Sequence, residues 1–329
     1  MIRFCTALII SLLLCLPVFA QTEKPVILFY ENTGDDTNSA FIAMARRGAE
    51  RAQSELGLEY SEHSLTEDEN RKKLLERYAR GGAKLIIAVG FQHAEAIGQI
   101  APNYPDTRFS MIDAKIPPLF DNVQSVGFRD DEGAFLIGMI AALNSKTGTI
   151  GFIGGMDSIV IRHFADGFRQ GARYARPEIK IQQHMIGKTK AAFNDPKTAA
   201  KLAKEQIDNG ADVLFAAAGG SATGMLEVAN NYDHVYAIGV DTNQNDLYPG
   251  TMLTSLVKRV DLAVYNAMKQ HSLNTWEAGI QSLGIKQGAL DYAVDSHNRK
   301  LIGLETINQV ERAKDFILQG LVKVEQYAD

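Results

Sequence analysis

Short apolar, β-branched runs alternate along the chain with longer stretches in which apolar residues recur every three or four positions. The runs Val26–Tyr30, Leu85–Val89, Phe109–Ile112, Thr149–Ile153, Val213–Ala217 and Val235–Val240 read as buried parallel strands, since a strand covered on both faces needs apolar side chains on both. Between them the period turns helical. From Asn38 to Leu56, the residues Phe41, Ala45, Gly48, Ala52 and Leu56 form one stripe, and Gly57 stands where a left-handed cap is wanted. Asp130–Leu143, Ile159–Tyr174, Asp195–Asn209 and Val260–His271 behave alike. In the third of these, Asp195 can cap and Pro196 takes the first turn, where a missing N–H costs nothing. Alternation of strand and helix predicts an α/β fold of parallel sheets with helices on both faces.

There are too many strands for one open sheet of ordinary size, and no Pro-, Gly- or Ser-rich linker cuts the chain in two. The pattern predicts two doubly wound lobes, with crossings near Phe128–Asp131, near Asn245–Gly250 and near Gln287. Lobe I is expected to take residues 21–128 and 247–287, and lobe II residues 129–246 and 288–329. Residues 1–20 read as a signal peptide: Arg3, an apolar run from Phe4 to Leu16, Pro17, then Val18-Phe19-Ala20. The run is too short to span a bilayer, which takes about 20 apolar residues. Cleavage is expected after Ala20, giving a free periplasmic protein. Lipidation at Cys15 is disfavoured by the bulky Leu14 before it.

Cys5 and Cys15, the chain's only cysteines, both fall inside that signal. Without them, a disulfide framework, thiolate catalysis and Cys-ligated metal are excluded for the mature chain. The formal charge of −5 becomes −6 on loss of Arg3, and no basic block remains. A nucleic-acid partner is therefore not expected.

In open α/β sheets a ligand meets the carboxyl ends of the strands. After these strands stand Glu31, Gly90-Phe91, Asp113, Gly219-Gly220-Ser221 and Asp241: acceptors, small residues that let backbone approach, and an aromatic ring. The seven histidines show no metal spacing and read as surface or satisfied residues. Ser221 does not sit in G-x-S-x-G, and Gly151-Phe152-Ile153-Gly154-Gly155 is no phosphate cradle. No catalytic constellation and no cofactor or metal site is expected.

Several segments carry a resemblance. They are Ile86-Ile87-Ala88-Val89-Gly90-Phe91, Phe109-Ser110-Met111-Ile112-Asp113 and Ala134-Phe135-Leu136-Ile137-Gly138. The run Lys146 to Gly155, Gly167-Phe168-Arg169-Gln170-Gly171, Gly210-Ala211-Asp212-Val213, Ala237-Ile238-Gly239-Val240-Asp241 and Thr254 to Asp261 complete the set. Together they resemble the basic membrane protein (PnrA-like) family of nucleoside-binding substrate-binding proteins of ABC transporters. The resemblance implies a type I periplasmic binding protein, two doubly wound parallel-sheet lobes joined by a multi-stranded hinge. It also implies a monomer that closes on a nucleoside, purine favoured, and delivers it to an ABC permease in the inner membrane. By match to the family motifs, Phe41 and Phe193 sandwich the base, Asn38 or Asp36 falls near a motif aspartate depending on how the gap is drawn, Asp113 and Asp241 hold ligand hydroxyls, Lys258 donates to ligand oxygens, and Gly219 contributes backbone. Local alternatives stay open. Phe41 also fits its helix's core stripe, Asp113 and Asp241 fit turn or cap roles, Lys258 fits a solvated helix end, and Gly219 a tight turn. The chain departs from the family at Ile42, where an asparagine is usual, at Ala222 in place of glycine, and at Asn243 in place of aspartate. A receptor for a sugar or nucleobase derivative, a nucleoside-cleaving enzyme, and a sensor docking on a membrane kinase are the rival readings.

Overall fold

A computed structural model describes residues 26–31, 40–66, 68–116 and 120–327. The expected signal segment and Asn38 lie outside the described residues. The chain first lays down β1 (Val26–Glu31), β2 (Tyr60–Leu65), β3 (Leu85–Val89), β4 (Arg108–Ile112) and β5 (Val123–Phe128). It then lays down β6 (Thr149–Met156), β7 (Lys180–Gly187), β8 (Val213–Ala217), β9 (Tyr236–Asp241) and β10 (Met252–Lys258). Two last strands, β11 (Gly279–Leu283) and β12 (Leu290–Tyr292), return one to each sheet. The sheet orders are β11-β5-β4-β3-β1-β2 and β12-β10-β9-β8-β6-β7. All ladders are parallel except β10 with β12. This is a type I periplasmic-binding-protein architecture.

The apolar runs sit in the middle of the sheets for the reason the pattern gave. β1, β3 and β8 are buried at every residue, with an apolar cluster on each face of each sheet. The polar strands β2 and β7 are edges with partly exposed residues, where one face and one rim meet water. Helices α1 (Ala40–Leu56), α2 (Arg71–Arg80) and α3 (Ala94–Ile100) follow strands of the first sheet. The rest are α4 (Asp130–Asn144), α5 (Ile159–Ala175), α6 (Pro196–Asp208), α7 (Ala222–Asn230), α8 (Val260–Ser272), α9 (Arg299–Ile302) and α10 (Leu304–Leu318).

The chain passes between the lobes at three places. After β5 it enters α4, which packs on α5 in lobe II; after β10 it enters α8, which packs on α1 in lobe I; and it returns between β11 and β12. The sequence places the second passage near Asn245–Gly250. The structure moves it to Arg259, because β10 pairs with β9 and β12 and so belongs to lobe II. Lobe I's second segment therefore begins with α8, not at residue 247. The passages are tied together: the Arg129 N–H donates to the Leu283 carbonyl and the Arg259 N–H to the Ala289 carbonyl, both at 2.8 Å.

Candidate functional site

Both sheets aim the carboxyl ends of their strands at a shared cleft, which encloses a cavity of about 780 Å³. Lobe I contributes Glu31 from β1, Phe41 and Ile42 from α1, Gly90-Phe91 after β3 and Asp113 after β4. Lobe II contributes Met156 from β6, the start of α5, Phe193, the turn 217–220, Asp241 from β9 and Lys258 from β10. Six of the residues singled out above, Phe41, Asp113, Phe193, Gly219, Asp241 and Lys258, thus line one cavity. Asn38 lies outside the described residues.

The backbone explains the placement of the two aspartates. Asp113 has φ 70° and Asp241 φ 67°, a left-handed conformation that Asp tolerates better than most residues. The Asp113 N–H is held by the Val126 carbonyl at 2.8 Å. Lys258 is 1 % exposed, which removes the solvated-helix-end reading. Its Nζ donates to Asp113 Oδ1 at 2.7 Å and lies 3.0 Å from Asp130 Oδ1. Among the described residues no hydrogen bond reaches the Asp241 carboxylate, which stays an open acceptor on the wall. Burial pushes the Asp241 pKa up to about 6, with Asp113 adding and Lys258 opposing. Burial likewise pushes Asp130 up to about 7, against the pull of Lys258 and with Asp113 and Asp131 adding. For Lys258, burial works against the charge, but Asp113, Asp130 and Asp241 outweigh it and hold the ammonium above the ordinary lysine value.

Phe193 closes a short 3-10 turn, Lys190–Phe193. Ser221 pins that turn, donating to the Ala192 carbonyl at 2.9 Å and accepting from the Asp195 N–H at 2.6 Å; this is a structural duty, not a nucleophile's. Gly155 makes room for the ring: a Cβ there would lie 2.5 Å from Phe193 Cε1. Phe41 and Phe193 make no ring contact with each other among the described residues, whereas Phe91 meets Phe193 edge to face at 6.3 Å across the lobes. At the cleft mouth Glu31 Oε1 accepts from Arg71 Nη2 at 3.0 Å and, across the lobes, from Lys190 Nζ at 2.6 Å.

Several of these participants escape a local reading. Glu31 and Phe91 were visible as strand-end residues; Lys190 and Asp130 carry no local signal at all. His93 corrects the reading of the histidines as surface or satisfied. It is fully buried, its ring 5.2 Å from that of Phe29, and burial above all, with Arg71 and Lys190, pushes its pKa down to about 3. Among the described residues no group of His, Cys, Asp and Glu is placed to hold a metal. In the carboxylate cluster the Lys258 ammonium occupies the central position.

The model of the family described as "ABC transporter substrate-binding protein PnrA-like" matches residues 24–327. The chain belongs to this family. Basic membrane protein A of Borreliella burgdorferi is 31% identical over 300 residues, covering 89% of this chain and 85% of that protein. An uncharacterized lipoprotein of Pyrococcus abyssi is 32% identical over 282 residues, 83% of this chain and 69% of that one. A crystal structure of solute-binding proteins of an ABC transporter system from Aeropyrum pernix superposes with TM-score 0.82 at 27% identity, over 93% of this chain and 94% of that chain. The family and the Aeropyrum pernix neighbour are substrate-binding proteins of ABC transporters and not enzymes. The cleft wall presents the acceptors Glu31, Asp113 and Asp241, the ammonium groups of Lys258 and Lys190, and the rings of Phe41, Phe91 and Phe193.

Proposed function

We propose that the chain captures a nucleoside, purine favoured, between its lobes and hands it to an ABC permease in the inner membrane. One observation carries the reading: a single cleft combines the rings of Phe41 and Phe193 with the acceptors Asp113 and Asp241 and the donor Lys258. A flat base stacks on aromatic faces for about 1–3 kcal/mol per base, and carboxylates hold sugar hydroxyls through charge-assisted hydrogen bonds. Contacts drawn from both lobes exist together only when the cleft is shut, so ligand favours the closed state that the permease receives. The protein acts as a monomer, exported and cleaved after Ala20. The lipoprotein naming of relatives supports a second form of export, anchored through Cys15.

The test is native mass spectrometry of freshly purified protein, followed by thermal shift with inosine, guanosine, adenosine and uridine. Stabilisation without product supports the receptor; release of free base overturns it. Asp241→Ala is expected to weaken binding more than about tenfold, since hydrogen bonds to charged groups contribute ~1.5–3 kcal/mol; unchanged affinity removes Asp241 from the site. A receptor for a sugar or nucleobase derivative is favoured by Ile42. This side chain is buried in the cavity wall and can neither donate nor accept. Ribose and free bases in the same panel decide between the two.

A further inference from the structure

An ammonium offers three N–H donors. In Lys258 one goes to Asp113 Oδ1 at 2.7 Å and a second to Asp130 Oδ2 at 3.2 Å. The rings of Phe41, Phe128 and Phe164 surround it, with centroids 5.8, 4.8 and 5.2 Å from Nζ. Asp130 itself is 1 % exposed and takes no part in the cavity wall. Whatever it does for a ligand, it does through Lys258.

We propose that Asp130 is a positioning residue for capture: with Asp113 it occupies two of the three Lys258 donors, leaving the third fixed for a ligand oxygen. The proposal rests on the cleft being the nucleoside site. The ionised carboxylate holds the ammonium more tightly than the neutral acid, which keeps an acceptor oxygen but loses the charge. Asp130 holds that charge poorly: its Oδ1, although close to Nζ, accepts no hydrogen bond, and burial above all, with Asp113 and Asp131 and against Lys258, raises its pKa to about 7. The charged groups around it are Lys258 from β10, Asp113 from the end of β4 and Asp131 beside it on α4, with Asp241 of β9 acting on the same ammonium. From α5 the residue facing the ammonium is the uncharged Phe164. Protonation of Asp130 loosens Lys258, so binding falls as the pH drops through about 7, and protonation of Asp241 adds a second loss near 6.

The experiment is calorimetric titration of inosine into the full mature protein and Asp130→Asn across that range. It is paired with a ¹⁵N NMR record of the Lys258 ammonium in the ligand-free wild type. The expected results are about tenfold weaker binding by D130N above neutrality, the lower end of what one hydrogen bond to a charged group contributes, loss of the upper pH step with the lower one kept, and return of the upper step in Asp130→Glu. Unchanged affinity and pH profile in D130N overturn the proposal. D130N removes a costly buried charge and is expected to melt no earlier than wild type, which separates lost positioning from lost folding. If wild type takes none of the four nucleosides, the nucleoside reading fails by itself. Asp130 is then judged on the wild-type ammonium signal, which must titrate with a midpoint near 7; an ammonium indifferent to pH there overturns the assignment.

Discussion

The two lobes are built on one plan, and the places where the plan breaks carry the chemistry. Each sheet runs the same order, and each ends its fourth strand with an aspartate in the left-handed region, Asp113 or Asp241. Gly90 and Gly219 follow the third strands, both at positive φ. The hinge repeats too: Arg129 pairs with Asp131 at 3.2 Å and Arg259 with Asp261 at 2.8 Å. Where helices cross, a Cβ on Gly48 of α1 would lie 2.4 Å from the Asp261 carbonyl oxygen, and one on Gly167 of α5 2.3 Å from that of Asp131. The match ends beside those arginines. One passage reads Phe128-Arg129-Asp130 and the other Lys258-Arg259-Val260. The common frame supplies hinge and acceptors twice; the departures supply one ammonium and its counter-ion once.

Making the two passages alike again should have the largest effect. Lys258→Met gives that position an apolar side chain like its counterpart Phe128 and leaves Asp113, Asp130 and Asp241 without a cation. Removing one partner of a buried ion pair costs about 3–5 kcal/mol. The sign with pH follows from carboxyls whose folded pKa lies above the unfolded value. Their stabilising contribution is complete below about pH 4; in the wild type it is lost as the pH rises through about 6 for Asp241 and about 7 for Asp130, and without the opposing pull of Lys258 the loss in the variant moves to higher pH. The variant is therefore expected to be most destabilised above neutrality and to recover in acid, as read by urea unfolding on both sides of that window. Equal destabilisation on both sides would mean that packing, not charge, makes Lys258 differ from Phe128.

The helix pairs offer a second, smaller break. In lobe II the α4–α5 crossing is tight along several turns: a Cβ on Gly171 would lie 1.8 Å from the Phe135 carbonyl oxygen, and one on Gly138 2.0 Å from that of Phe168. In lobe I, α1 and α8 have Ala52 and Met268 at the matching places, so only Gly48 keeps its close approach. Gly171→Ala is expected to cost about 1–3 kcal/mol by overpacking, read as a fall in the thermal midpoint, while the inverse change Ala52→Gly costs about 1 kcal/mol of helix propensity. A neutral Gly171→Ala would show that the lobe II crossing relaxes as freely as that of lobe I.

How much of this was readable in advance follows the range of the interactions. β3 and β8 have the bounds their apolar runs predict, because burial on both faces is a local property of composition. The edge strands β2 and β7 went unread, since Tyr60–Leu65 and Lys180–Gly187 mix polar and apolar residues as an edge permits. β10 falls within the stretch expected in lobe I but belongs to lobe II, because sheet membership is decided by pairing with β9 and β12 and not by its own residues. The site divides in the same way. Asp113 and Asp241 end apolar strands and declare themselves. Asp130 meets Lys258 across 128 positions and Glu31 meets Lys190 across 159, separations that no local pattern encodes.

The smallest expected effect compares the two ion pairs that cross between the lobes. Lys258 and Asp113 are sealed at the hinge, with side chains 2% and 8% exposed; at the mouth, Lys190 is 53% exposed over a Glu31 that is 8% exposed. Water and salt reach the outer pair, and exposed pairs contribute about 0.2–1 kcal/mol. Arg71 remains on the same Glu31 oxygen when Lys190 is removed, so no buried carboxylate is stranded. Lys190→Ala should leave the unfolding midpoint where it is and speed ligand release by at most about fivefold, the factor that 1 kcal/mol represents. The difference should vanish near ~1 M salt, where screening acts within about 3 Å. Stopped-flow release at low and high salt reads it directly. A salt-independent or larger effect would make the mouth a second sealed contact like the hinge, and the contrast between a buried pin and an exposed latch would be lost.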